Sequence, residues 1–197
     1  MARRIRTSEE LKTASDWLIY EYWMLEGLNH LLLHEGGLTE IGIVRNAVLD
    51  SFLIHARALV DFFFNSEPNH EKDAIAGDYF ETEKACWEKQ HPKDPDWFKD
   101  TRTRINKGVA HISYDRHKDA LDHLLIEREI GNAFYEFVER VPLELLGTRW
   151  EKIKSNIQAG SESPIELPPF LVTGGILKTS FYPLPIPDWY PDKKGDD

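Results

Sequence analysis

Between residues 8 and 33, Leu11, Trp17, Leu18, Tyr20, Tyr22, Trp23, Leu25, Leu28, Leu31 and Leu32 recur at intervals of three and four, with Thr7 or Ser8 placed to cap the start. That period lets an α-helix bury one face, and a strand, whose side chains alternate every two residues, cannot use it. After the Gly36-Gly37 pair and a capping Thr39, a second stripe follows at Ile41, Val44, Val48, Phe52, Leu59 and Phe63, flanked by Leu49, Leu53, Ala56 and Val60. The spacing predicts a second long helix ending at Phe64, before "NSEPN". Two helices of this kind hide their apolar faces only against each other and against further helices. The chain is thereby directed to an all-α bundle.

The remainder of the chain supplies those partners. Residues 65 to 81 read as a loop with a docked Tyr79-Phe80 pair, and "TEKACWEKQ" as a short helix stopped by Pro92, with Cys86 buried beside Trp87. A third long helix is expected over about 96 to 114, capped by Asp94 or Asp96 with Pro95 near its first turn. A fourth is expected from near Lys118, carrying Leu121, Leu124, Leu125, Ile130, Phe134, Phe137 and Val138 and ending before Pro142. A helical segment over 143 to 157 should continue it after a kink. From residue 159 onward the composition changes: seven of the eleven prolines lie there, and "FLVTGGILK" reads as a small hairpin around Gly174-Gly175. The expected organisation is a helical bundle of four long helices with short extra helices over 1–158. A proline-rich arm over 159–197 packs on it through Phe170, Phe181, Tyr182, Trp189 and Tyr190.

At 197 residues with 41% hydrophobic content, the chain has enough apolar side chains for one buried core. Its single cysteine excludes an internal disulfide framework and fits a reducing compartment, so a cytoplasmic location is expected. "MARRIR" runs into "TSEELKTASD" without an apolar stretch, unlike a secretory signal. The most apolar run, 41 to 64, is interrupted by Arg45, Asn46, Asp50, His55, Arg57 and Asp61, and no membrane span is expected. A formal net charge of -10 argues against a surface that grips nucleic acid throughout. Its distribution is uneven, however. Lys99, Arg102, Arg104, Lys107, Arg116 and Lys118 face only Asp100 and Asp115, a local excess of four positive charges within "RTRINKGVAHISYDR" and its flanks.

Within this cationic stretch, Arg104 and His111 are seven residues apart. On a helix they differ by only about 20° and stand roughly 10 Å apart along one face. A guanidinium binds phosphate oxygens as a fork and an imidazole exchanges protons near neutral pH, so the pair could grip a phosphodiester and act on it. The plainer reading is that both are solvated or pair with acids on neighbouring helices. Tyr114 and Arg116 follow within two turns and could contact RNA, or be a buried tyrosine and a surface arginine. His55 lies on the apolar stripe of the second helix, where a hydrogen-bonded core histidine is the simple reading and a supporting role stays open, with Ser51 one turn away. Arg57 and Asp61, four apart, suit a helix ion pair. Glu26, His30 and His34 stand at four-residue steps that could face a metal, but no further histidine or cysteine pair completes a ligand set, and no metal or other cofactor is expected.

"RINKGVAH", together with "LIHARALVDFFF", resembles the bacterial HEPN-like helical proteins, including branches near abortive-infection systems. The resemblance covers residues 8 to 145 in architecture and the two motifs in sequence. It matches Arg104, six intervening residues and His111, with Asn106 as the polar companion, set off from the arginine by Ile105. It implies an all-helical bundle, metal-independent RNA cleavage in a cleft between two protomers, and a toxin-type or phage-defence role. Arg104 and His111 would be catalytic, while Asn106, Lys107, Tyr114, Arg116 and His55 would bind RNA or support the pair. The implied partners are a second copy of the chain, RNA and an antitoxin or other regulatory protein. Alternatively, the same basic face belongs to a non-catalytic module that binds nucleotide, RNA or a protein partner.

Overall fold

The computed structural model describes residues 4–34, 42–80, 84–92, 95–99 and 122–158. Thr7 starts α1 (Ser8–His34): its Oγ1 accepts the Glu10 N–H at 3.2 Å, and Glu10 Oε2 accepts the Thr7 N–H at 2.9 Å. This reciprocal box occupies two of the N–H groups that a helix start leaves without intrahelical partners. α2 (Gly42–Phe64) runs back along α1, with Glu21 opposite His55 and Leu28 opposite Val44 and Val48. A 3₁₀ turn at Ala76–Tyr79 then docks both aromatics of the loop. Tyr79 and Phe80 are buried, and the Tyr79 hydroxyl donates to the Leu11 carbonyl at 2.7 Å.

α3 (Lys84–Gln90) crosses the end of α2, where Trp87 Nε1–H donates to the Phe63 carbonyl at 2.9 Å. That carbonyl is one of the last four of α2, which have no acceptor role inside the helix. α4 (His123–Arg140) meets α1 at Asn29 through His123 and at Tyr22 through Phe134, and the chain just beyond it meets Ser15 through Gly147. Residue numbers on α1 fall as those on α4 rise, so α4 is antiparallel to α1 and parallel to α2. A 3₁₀ turn at Leu143–Leu145 leads to α5 (Trp150–Gln158). All regular elements among the described residues are helical, with no strand, and none of their helices is long and apolar enough to cross a membrane.

Phe137 is the centre of the core. Its ring lies 5.1 Å from Tyr79, 5.3 Å from Phe62, 5.8 Å from Phe63 and 6.0 Å from both Phe80 and Trp87, all at steep interplanar angles. Edge-to-face approach places the positive rim of one ring on the negative face of the next. A second stack runs from Tyr22 to Phe134, 3.8 Å apart and nearly parallel, and on to Trp150. Arg140 lies over Phe80 and Trp87 at 5.3 and 5.6 Å and closes the first cluster towards solvent.

Three expectations are corrected. The fourth helix begins at His123 and not near Lys118, because the Asp122 carboxylate accepts the Leu125 N–H at 2.9 Å and sets the start. The segment over 143 to 157 is not one helix after a kink. It divides into the 3₁₀ turn and α5, joined where the Gly147 N–H donates to Ser15 Oγ. Cys86 is exposed while Trp87 is buried, since a helix of seven residues has one face to bury and the two are 100° apart on it. Of the third long helix, residues 96–99 are helical. Its continuation, the proline-rich arm with its hairpin, and the boundary at residue 159 lie outside the described residues.

Ser15 links α1 to the loop after α4: its hydroxyl donates to the Lys12 carbonyl at 2.7 Å and accepts the buried Gly147 N–H at 2.9 Å. Ser15→Ala leaves that N–H buried without an acceptor, which should cost about 1 to 3 kcal/mol. A urea titration of wild type and variant measures the loss, and a change within error would mean that water replaces the hydroxyl.

Candidate functional site

Arg104, Asn106, Lys107, His111, Tyr114 and Arg116 lie outside the described residues, and His55 is the member of the expected set whose surroundings are described. On the side before this segment, Phe98 is buried and Trp97 packs on Phe64 with ring centroids 5.6 Å apart. On the side after it, His123 packs edge-on against Phe52 at 6.1 Å. Phe52 and Phe64 are twelve residues apart on α2, about 18 Å along its axis. The residues flanking the cationic stretch are therefore anchored at two separate levels of α2, and His55 falls between those levels.

His55 is not an isolated core histidine. Its Nδ1–H donates to Glu21 Oε2 at 2.6 Å across the α1–α2 interface, and the edge of the ring meets Tyr20 at 5.9 Å. The imidazole is 12% exposed. A carboxylate on Nδ1 holds the proton there, so the neutral ring keeps its lone pair on Nε2 and can accept a proton or a hydrogen bond from that side. Ser51, one turn away, is not the residue that bonds it; Glu21, on the other helix, is. Arg57 and Asp61 form the expected i,i+4 pair, with Nε 3.8 Å from Oδ2.

His123 is a second oriented imidazole. Its Nδ1–H donates to Asn29 Oδ1 at 2.8 Å, and burial lowers its pKa, helped by Arg45 and opposed by Asp122. It is neutral near pH 7 with its lone pair on Nε2. Its signal in the sequence was its place beside the cationic stretch, near the start of the apolar pattern of the fourth helix. Glu21 had a weaker one, a charge set between Tyr20 and Tyr22 on an otherwise apolar face.

On α1, Tyr22 is buried against Glu26, Glu127 and Tyr135, and desolvation followed by the Glu26 charge pushes its pKa well above the usual phenol range. Burial also raises Glu127. Gly131 lets this happen: a Cβ there would stand 3.3 Å from the Tyr22 hydroxyl. With its phenol held protonated, this cluster ties α1 to α4. Among the described residues no group of three His, Cys, Asp or Glu side chains could hold a metal, Glu26 and His30 included.

His91 is placed for structure. It stacks on Trp87 at 3.9 Å, its Nδ1–H donates to the Trp87 carbonyl, and its Nε2 lies 3.5 Å from Glu136. Burial lowers its pKa and outweighs the pull of Glu136. As pH falls below the ordinary value of about 6.5, the unfolded chain takes up a proton before the folded one does, so stability drops with pH. His123 adds to this with the same sign. The urea midpoint should therefore fall between about pH 7.5 and pH 5.5, and His91→Phe, which keeps the stacked ring, should flatten the slope. An unchanged slope in the variant would remove His91 from the account.

Comparison of the chain with protein-family models, curated proteins and solved structures returns no match.

Proposed function

We propose that the chain is a metal-independent RNA endonuclease of the HEPN-like, toxin-type kind, acting through Arg104 and His111 at a cleft between two copies. One observation of the sequence carries this reading: an arginine and a histidine stand seven residues apart, a spacing that would put both on one face of a helix, inside a cationic stretch of an acidic chain. The helical character of the described residues supports it, as does the anchoring of Trp97 and His123 on either side of the His55 level. In the reaction, an imidazole takes the proton of a ribose 2′-OH, the 2′ oxygen attacks the adjacent phosphorus, and the 5′ oxygen leaves with a proton. The product carries a 2′,3′-cyclic phosphate. Arg104 binds the phosphate oxygens as charge builds on them, His111 moves the proton, and Asn106, Lys107, Tyr114 and Arg116 hold the RNA. His55, oriented by Glu21, is a positioning residue.

The test is an RNA panel incubated with the purified chain in EDTA, with end analysis of the fragments and His111→Ala in parallel. Cleavage by wild type alone, leaving cyclic phosphate ends, is the expected result. A homodimer in sedimentation at micromolar concentration is expected with it. RNA bound and left intact by both proteins would favour the binding-module reading, towards which the net charge of -10 already leans.

A further inference from the structure

α1, α2 and the loop after α2 border an open groove of about 400 Å³. Trp17, Glu21, Asp61, Asn65, Asn69 and Asp73 line it, with Lys72 at its edge. Three carboxylates and one ammonium line it, and Arg57 pairs with Asp61 from one turn away, so the lining is acidic. It also lacks a metal-binding set among the described residues. Its polar side chains are mainly acceptors, and one of them is unused. Asn65 is 6% exposed, its Nδ2–H donates to Asp61 Oδ1 over a long 3.3 Å, and its Oδ1 is buried without a hydrogen-bond partner. Leaving an amide oxygen buried and unpaired costs free energy that a donor entering the groove would recover. Trp17, 40% exposed, gives the groove an aromatic wall, the surface on which a cation rests best.

We propose that this groove binds an organic cation bearing N–H donors, a primary ammonium or a guanidinium, with the charge between Glu21 and Asp61, an N–H on Asn65 Oδ1 and the alkyl chain against Trp17. The group belongs either to a free polyamine-like molecule or to a lysine or arginine side chain of another protein. Both present the same chemistry to these residues. Asp61 also braces the loop by accepting from Asn69 Nδ2 at 3.3 Å, so a second variant away from the loop is needed.

The full-length ¹⁵N-labelled chain is titrated with spermidine, with agmatine, with a capped peptide containing one arginine, and with tetramethylammonium, which has the charge but no N–H. The readout is the Trp17 indole resonance, assigned by its loss in Trp17→Phe. Saturable shifts with at least one of the N–H cations, and none with tetramethylammonium, are expected. Asp61→Asn and Glu21→Gln should each weaken binding about 10-fold or more, as expected for charge-assisted hydrogen bonds, and Trp17→Ala several-fold. Tighter binding of the peptide assigns the site to a partner's side chain, and tighter binding of the free amines assigns it to a small molecule. No saturable shift, equal shifts with tetramethylammonium, or unchanged affinity in both carboxylate variants would overturn the proposal. RNA enters none of these measurements, so the result is independent of the cleavage reading.

Discussion

Phe137→Ala is expected to remove about 3 to 5 kcal/mol of folding stability, the range for large aromatic truncations in a packed core. The ring is fully buried, and its neighbours come from four separate parts of the chain: Phe62 and Phe63 on α2, Tyr79 and Phe80 in the loop, Trp87 on α3 and Trp150 on α5. Removing it leaves a cavity that rigid aromatic walls fill poorly, so relaxation recovers little. Against a typical total of about 5 to 15 kcal/mol, the loss is a large share, and a fall in Tm on the order of 10 °C should accompany it. Phe137→Leu keeps much of the volume and should cost less. Urea unfolding followed by tryptophan fluorescence reads both variants directly, since Trp87 and Trp150 border the site. A loss below about 1 kcal/mol for the alanine variant would mean that these rings do not form one packed cluster.

The helices that carry this cluster could be read from the sequence where period and cap coincide. Thr7 with Glu10 three residues later marks the start of α1, and the stripe from Val44 to Phe63 marks α2. The docked Tyr79-Phe80 pair was also legible, because two aromatics in a polar loop have few places to go except the core. The start of α4 was not. Ala120 and Leu121 continue an apolar pattern upstream of Asp122 in the sequence, and only the carboxylate's bond to the Leu125 N–H shows where the helix begins. Cys86 failed for a related reason: periodicity says that one face of a short helix is buried, and the partner helix decides which one.

Sites made by one element are legible in a way that sites made by two are not. Arg104 and His111 can be proposed as a pair from spacing alone, because any helix through them would fix their angular separation. Glu21 and His55 are 34 residues apart, and their bond exists because α2 folds back on α1 at one particular register. A shift of α2 by one turn would put Ser51 or Leu59 there instead. The Trp87, His91, Glu136 and Arg140 group has the same origin, with Trp87 from α3, His91 from the chain directly after it, and Glu136 and Arg140 from α4. The groove around Asn65 depends on three segments and left no local mark beyond a run of polar residues after α2.

His111→Ala is expected to lower RNA cleavage by on the order of 10² to 10⁴-fold while the helical circular dichroism spectrum is retained. The proposed role of His111 is to move a proton between the ribose or leaving oxygen and solvent, and alanine offers no group that can do so. Arg104→Lys should fall by a comparable factor, because a single ammonium cannot span two phosphate oxygens as the planar guanidinium does. His55→Ala, acting through orientation, should reduce the rate less than either, and Glu21→Gln, which still accepts from Nδ1, less again. The order of the four variants separates this account from a generally cationic surface, where Arg104→Lys would preserve activity and His111→Ala would matter little. Rates measured in EDTA at saturating RNA decide between them. Equal residual cleavage in wild type and His111→Ala would remove His111 from the chemistry.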